Sequence, residues 1–138
     1  MNNLRVLDSK THGYLDYLTV AVLALMPSLL DMSTTPSVIC YVVAFAVLGL
    51  SLTTAYPLGV VKAVPFPTHG LIELGSGVLF ALMPWIAGFA DDDLYARNFF
   101  LIQGLGLVGF WAITDYRVAD TETRHGTTTL GGTYRRAS

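Results

Sequence analysis

Charged residues are scarce in this chain of 138 residues, where Lys, Arg, Asp and Glu together make up 13 %. Soluble domains usually carry about 25 % charged residues. Hydrophobic residues make up 53 %, and the net charge is −2. This composition excludes a disordered chain and a nucleic-acid-binding protein with a basic face. It indicates a membrane protein rather than a soluble domain.

Cysteine is also rare, and the sequence contains no recognised catalytic motif. Cys40 is the single cysteine, so an intrachain disulfide framework is excluded. The sequence has no glycine-rich phosphate-binding loop, and no serine is placed against a histidine and an acid as in a hydrolase triad. We therefore do not predict an enzyme, and we assign no catalytic residue.

Four long apolar stretches occupy most of the chain. They run from about residue 14 to 30, 38 to 54, 71 to 90 and 94 to 114. Helices of these lengths span roughly 25–32 Å at 1.5 Å per residue, which is enough to cross the hydrocarbon core of a bilayer. Backbone groups inside a membrane must bond within their own segment, so helices are expected. The predicted fold class is all-α, a four-transmembrane-helix bundle.

The basic residues predict how such a bundle is oriented. With four crossings, seven of the eight Lys and Arg residues fall on one side: Arg5, Lys10, Lys62, Arg117, Arg124, Arg135 and Arg136. The other side carries Arg97 together with Asp31 and the Asp91–Asp93 run. The positive-inside rule then places both termini in the cytoplasm. We predict a multi-pass membrane protein with its N- and C-termini on the inner side.

An internal repeat divides the chain into two halves. When the sequence is shifted by 57 residues, seven of the seventeen positions from 11 to 27 are identical to their counterparts. The predicted organisation is two tandem helical hairpins. It comprises an N-terminal segment (1–10), hairpin repeat 1 (11–60), a linker (61–67), hairpin repeat 2 (68–116) and a flexible cytoplasmic tail (117–138).

A proline-centred motif lies near the end of the first helix in each hairpin, as Met26-Pro27-Ser28 and Met83-Pro84-Trp85. Together with the His-Gly pair near each helix start and the Thr-x-Tyr pattern after the second and fourth helices, it resembles the SPW-repeat family of small bacterial integral membrane proteins. In that family a Ser-Pro-Trp motif lies in the first of two transmembrane helices. The resemblance implies a multi-pass fold and a location in the bacterial inner membrane, but no activity.

Polar residues inside the predicted spans are the candidate site. His12, Asp16 and Thr19 follow one another at positions i, i+4 and i+7, and His69, Glu73 and Ser76 repeat the pattern. This spacing places each trio on one helix face. Such groups are costly in lipid, so both faces are expected to point into the bundle. The ends of the second and fourth helices add further polar residues at the same depth: Thr53, Thr54, Tyr56, Thr114, Asp115 and Tyr116.

Three interpretations of these polar residues stay open. They could lock the bundle structurally, or bind a proton, a small solute or a lipid head group. They could also hold a transition metal through His12, Asp16, His69 and Glu73, or a haem between the two histidines. Whether the two histidines meet is not determined by the sequence.

We predict a structural or accessory membrane module that binds a protein partner or lipid through the bundle surface. The alternative is a site of histidines and carboxylates in the cytoplasmic half of the bundle that binds a proton, a small solute, a metal or haem and serves transport or redox chemistry. No cofactor is expected in the preferred interpretation. The expected partners are membrane lipids, further copies of the chain or another membrane protein, and not nucleic acid.

Overall fold

The computed structural model describes residues 5–117, and these residues form an all-helical structure. The four helices are α1 (Ser9–Leu29), α2 (Thr34–Thr53), α3 (Phe66–Ile86) and α4 (Leu94–Ile113). The prediction of an all-α fold with four helices is confirmed. The predicted tail, apart from Arg117, lies outside the described residues.

The first three helices begin four or five residues before the predicted apolar spans. Their first turns are polar or contain proline, so hydropathy does not reveal them. In α1 the Asp8 side chain caps the helix by accepting a hydrogen bond of 2.7 Å from the Thr11 amide. In α3, Phe66 and Pro67 already belong to the helix, although both lie in the predicted linker. Proline is well tolerated there because the first amides of a helix have no intrahelical partner.

The helices pack closely in pairs, α1 with α2 and α3 with α4, so that each pair is a hairpin. Small residues allow this approach in the second hairpin. A Cβ on Gly104 would lie 2.6 Å from the Gly77 carbonyl oxygen and 2.8 Å from the Ala81 Cβ. Glycine is therefore required for the close crossing of α3 and α4.

Both hairpin loops turn in the same way. Asp31 has φ 49° and Gly88 has φ 75°, and these two residues are related by the 57-residue shift. In each loop the next amide bonds back to the proline carbonyl inside the helix, from Met32 to Pro27 at 3.0 Å and from Phe89 to Pro84 at 2.9 Å. This hydrogen bond is that of a Schellman helix end. The repeated sequence thus produces a repeated turn.

We call the end of the bundle with these loops the loop end, and the opposite end, where α1 and α3 begin, the histidine end. An apolar core joins the two hairpins towards the loop end and includes Leu23, Cys40, Phe80 and Phe100. The Phe80 and Phe100 rings stack with centroids 4.1 Å apart. Between the hairpins, a groove of about 370 Å³ is lined by residues of α2, α3 and α4.

At the histidine end, backbone hydrogen bonds join the hairpins twice in the same manner. The segment before α3 pairs with the end of α2, where the Ala55 amide donates to the Val64 carbonyl at 2.7 Å. The segment before α1 pairs with the end of α4, where the Asp115 amide donates to the Leu7 carbonyl at 3.0 Å. Leu7 and Val64 are related by the 57-residue shift, so this pairing is also repeated.

Much of the outer surface is apolar. Phe45 on α2 is 80 % exposed and Ile102 on α4 is 73 % exposed. By length and composition α2, α3 and α4 are able to cross a membrane. The equally long α1 does not meet the same criterion, because its N-terminal half carries most of its polar residues.

Asp93 joins the hairpins at the loop end. Its Oδ1 accepts a hydrogen bond of 2.9 Å from the Ala96 amide at the start of α4, and its Oδ2 accepts one of 2.8 Å from the Ser33 amide before α2. The pKa of Asp93 lies below its ordinary value, because partial burial raises it less than these hydrogen bonds lower it.

Replacing Asp93 by alanine should lower the free energy of unfolding at pH 7 by about 1–2 kcal/mol, the usual effect of losing a helix N-cap. A carboxylate whose pKa falls on folding stabilises only while ionised, so the loss should persist above about pH 4 and vanish as the pH falls through the lowered pKa. Denaturant unfolding of the protein in detergent micelles measures this. The exposed Asp92→Ala is the control, and an equal loss in both variants would contradict the assignment.

Candidate functional site

Four ionisable side chains are buried together at the histidine end. His12 and Asp16 come from α1, and His69 and Glu73 come from α3. Their exposed fractions are 1 %, 6 %, 2 % and 6 %. The i, i+4 spacing on each helix places a histidine and a carboxylate on the same face, and the two faces oppose one another.

The two histidines meet at the centre of this cluster. Nε2 of His12 lies 3.4 Å from Nε2 of His69. The rings are nearly perpendicular, at 80°, with centroids 5.4 Å apart. The two copies of the repeat therefore contribute to one site and not to two.

The carboxylates flank the imidazole nitrogens. Asp16 has one oxygen 3.4 Å from Nε2 of His12 and the other 3.4 Å from Nε2 of His69. Oε2 of Glu73 lies 3.5 Å from Nε2 of His12. Within residues 5–117, the groups at ion-pair distance from these carboxylates are the two imidazoles, and none is a Lys or Arg.

Threonines that follow the second and fourth helices bind the outer nitrogens of the imidazoles. Nδ1 of His12 lies 2.9 Å from the Thr114 hydroxyl, and Nδ1 of His69 lies 2.8 Å from the Thr54 hydroxyl. Each of these bonds joins one hairpin to the other. The site is therefore complete only when the two hairpins are assembled.

Tyrosines two residues further along the chain hold the carboxylates. Tyr56 donates to Oδ2 of Asp16 at 3.0 Å, and Tyr116 donates to Oε2 of Glu73 at 2.7 Å. Burial raises the pKa of both phenols above the ordinary value, and the adjacent carboxylate raises it further. Both phenols thus stay protonated and act as donors. These hydrogen bonds lie within one hairpin, in contrast to those of the histidines.

The glycine after each histidine makes room for a tyrosine ring. A Cβ on Gly13 would lie 2.9 Å from a carbon of the Tyr56 ring, and one on Gly70 would lie 2.6 Å from the Tyr116 ring. Contacts this short are not possible for a real side chain. The His-Gly pair in each repeat is thereby explained by the packing of the tyrosine that binds the carboxylate.

Phe66 covers the cluster and was not predicted. It is fully buried, and its ring contacts the His12 ring edge-on with centroids 5.3 Å apart and the Tyr116 ring at 4.7 Å. Its counterpart in the first repeat is Ser9, so the repeat does not indicate it. Its position three residues before His69 is the only sequence signal.

Four residues of the predicted polar cluster lie elsewhere. Thr19 is buried one turn beyond Asp16, and Ser76 lines the groove between the hairpins. Thr53 donates to the Gly49 carbonyl of its own helix at 2.8 Å. The Asp115 carboxylate accepts hydrogen bonds from Arg117, whose amide contributes most to lowering its pKa.

The structure brings the other predicted residues together and adds Phe66. The residues that meet are His12, Asp16, Thr54, Tyr56, His69, Glu73, Thr114 and Tyr116.

Comparisons of the chain with family models, with curated proteins and with solved structures find no match.

Gly70→Ala should displace the Tyr116 ring and weaken its hydrogen bond to Glu73. We expect the free energy of unfolding to fall by about 1–3 kcal/mol, the usual effect of overpacking. Gly75→Ala, on the same helix with open space around it, is the matched control and should be neutral or stabilising by up to about 1 kcal/mol. Unfolding in detergent micelles measures both variants. Equal effects would show that the ring contact is not what requires Gly70.

Proposed function

We propose that the protein is a small membrane-spanning bundle that binds one inorganic cation between its two hairpins. One observation carries the proposal: two carboxylates and two imidazole nitrogens converge in a buried cluster without a Lys or Arg partner within residues 5–117. Burying a carboxylate costs several kcal/mol per ion, and the phenols that donate to Asp16 and Glu73 carry no positive charge to offset it. A bound cation would supply that charge.

The geometry favours a small ion over a haem. A macrocycle bound by both histidines would have to pass between imidazole nitrogens that are already 3.4 Å apart. The remaining space around the rings is filled by Phe66 and Tyr116. A single ion does not require this space between the imidazole rings.

Insertion into a membrane is supported by the distribution of exposed side chains. The apolar exterior of α2 and α4 suits acyl chains and is too extensive for a soluble monomer. The polar residues of α1 that lower its hydropathy, among them His12, Asp16 and Thr19, face the bundle interior. Its exposed positions include Leu18, Leu25 and Leu29. A lipid-compatible outer face therefore allows α1 to cross as well.

The distribution of Lys and Arg supports an orientation with both termini in the cytoplasm, and the resemblance to the SPW-repeat family supports a location in the bacterial inner membrane. The histidine end then lies in the cytoplasmic half of the bilayer. Membership of the SPW-repeat family is a further proposal, which rests on the Pro27 and Pro84 motifs.

An accessory role in binding a protein or lipid through the bundle surface is the second candidate. The observation that favours it is the apolar groove between the hairpins, lined among others by Val47, Ile72 and Leu107. A groove of this kind accommodates an apolar chain or helix side chains. It does not explain the buried carboxylates, so the cation site is preferred.

The proposed topology predicts a definite pattern of reporter activity. Green fluorescent protein fused to the C-terminus should fluoresce, and alkaline phosphatase fused after residue 92 should be active, because the loop end faces the periplasm. Fusing each reporter at the other position is the control and should give no signal. The reverse pattern would refute the orientation, and protein released by an alkaline wash would refute membrane insertion.

Cation binding predicts a ligand-dependent stability. After treatment with a chelator, the detergent-solubilised protein should be stabilised by at least one ion from a panel of Na⁺, K⁺, Mg²⁺, Ca²⁺, Mn²⁺ and Zn²⁺. A ligand at 100 times its Kd stabilises by about 2.7 kcal/mol. Asp16→Asn and Glu73→Gln should reduce the shift in Tm, whereas His125→Ala, which removes the third histidine, should preserve it. The absence of a shift with every ion would contradict the proposal.

A further inference from the structure

Within this proposed function, we infer that the cation is a four-coordinate divalent transition-metal ion of the Zn²⁺ class. The ligands would be Nε2 of His12, Nε2 of His69, and one carboxylate oxygen each from Asp16 and Glu73. Each hairpin contributes one nitrogen and one oxygen.

The threonines determine which imidazole nitrogen is available to a metal. The Thr54 hydroxyl lies 2.6 Å from the Leu50 carbonyl oxygen, and the Thr114 hydroxyl lies 2.6 Å from the Phe110 carbonyl oxygen. A carbonyl only accepts, so each threonine donates its one hydroxyl proton to the helix. The hydroxyl oxygen must then accept from the imidazole, which places a hydrogen on Nδ1 of each histidine. In the neutral ring the lone pair is on Nε2, and it faces the centre of the cluster.

This arrangement is the usual environment of a metal-binding histidine. Such a histidine donates its second ring N–H to a carboxylate, a carbonyl or another acceptor, which fixes the tautomer and the ring orientation. Here two histidines from different helices are fixed in this way, and both lone pairs point to the same place. Without a cation between them, the two lone pairs repel.

The separations from the imidazole nitrogens to one another and to the nearest carboxylate oxygens match those between ligands of a tetrahedral site. With metal–ligand bonds of about 2.0–2.1 Å, two ligands of a tetrahedron are about 3.3–3.4 Å apart. The Nε2–Nε2 separation is 3.4 Å, and the separations from Nε2 of His12 to Asp16 and to Glu73 are 3.4 and 3.5 Å. Nε2 of His69 lies 3.4 Å from Oδ2 of Asp16, whereas Nε2 of His12 lies beside Oδ1, so the Asp16 carboxylate would have to turn to present one oxygen to a metal between both rings. A ligand atom from each of His12, His69 and Glu73 lies within 4.8 Å of the other two.

An unsatisfied oxygen in the cluster also indicates a ligand. Oε1 of Glu73 is buried and has no hydrogen-bond partner within residues 5–117. Leaving a buried acceptor of this kind unpaired costs about 1–3 kcal/mol, and more for a charged group. A metal ion bound to this carboxylate would offset the free-energy cost of burying Oε1 without a hydrogen-bond partner.

The ligand set favours a particular class of metal. Mg²⁺ and Ca²⁺ require six or more oxygen ligands, and two imidazoles in a cluster of four do not supply them. Imidazole nitrogens suit Zn²⁺, Fe²⁺, Cu²⁺ and Ni²⁺, and a tetrahedral arrangement favours Zn²⁺. With His12, His69 and Glu73 as ligands and Asp16 turned to supply the fourth, the site would have no open position and would hold an ion rather than activate a water molecule.

Co²⁺ tests the inference because its visible absorption reports its coordination number. Full-length protein in detergent is treated with a chelator and titrated with Co²⁺ alone. We expect one Co²⁺ per chain, the intense visible bands of a four-coordinate ion, and displacement by an equimolar amount of Zn²⁺. Weak bands typical of six-coordinate Co²⁺, or no displacement by Zn²⁺, would overturn the inference.

Variants separate the ligands from the residues that position them. His12→Ala and His69→Ala should abolish the intense bands, and His125→Ala should leave them unchanged. Thr114→Val keeps all four ligands and should weaken binding by about 10–100-fold, the usual effect of losing a hydrogen bond to a metal-binding histidine. Thr114→Ser should restore the affinity. If Thr114→Val binds Co²⁺ as tightly as the unchanged chain, the threonine does not position a ligand and the inference fails.

The outcomes distinguish this inference from the proposal on which it rests. If Na⁺, K⁺, Mg²⁺ or Ca²⁺ stabilises the protein through Asp16 and Glu73 while Co²⁺ and Zn²⁺ do not bind, the cation site stands and its assignment to a transition metal is wrong. If no ion binds, both are wrong. Should a histidine variant fail to fold, the Thr114 pair provides the same test in a chain with its ligands intact.

Discussion

Two carboxylates buried beside two imidazoles in an apolar bundle are the constraint that shapes the histidine end. Removing such groups from water is costly, so their polar atoms require partners. The surrounding residues supply them: hydroxyls for the outer nitrogens, phenols for the carboxylates, and a phenylalanine ring that covers the cluster. Even the glycines beside the histidines are explained by this requirement, since they admit the tyrosine rings.

The two kinds of hydrogen bond have different consequences. The bonds to Asp16 and Glu73 come from tyrosines of the same hairpin, so a hairpin positions its own carboxylate. The bonds to His12 and His69 come from threonines of the other hairpin. Each hairpin therefore orients the imidazole ring of the histidine on the other hairpin. Association of the hairpins and completion of the cluster are one event.

The helices and most residues of the site could be predicted from the sequence. Long apolar runs indicate helices without knowledge of the tertiary structure. The 57-residue repeat matches His12 with His69 and Asp16 with Glu73 in the sequence itself. Hydropathy missed the first turns of α1, α2 and α3, because these turns are polar or contain proline. Thr54 and Thr114 were predicted at the depth of the cluster, but their hydrogen bonds to the histidines depend on a contact between hairpins that no local pattern encodes. Phe66 was missed because the first repeat has no equivalent aromatic residue.

The paired backbone at the histidine end bears on the order of the chain. Hydrogen bonds join the segment before α1 to the end of α4 in the way that the segment before α3 joins the end of α2. Only the second of these junctions is continuous in the polypeptide, through residues 55–63. The two hairpins thus meet at two equivalent junctions, of which only one is covalent. The backbone hydrogen bonds at the covalent junction repeat those at the other. A circular permutant that starts in this connection and links the old termini would keep every contact of the cluster, and two separate hairpins would have the same surfaces with which to assemble.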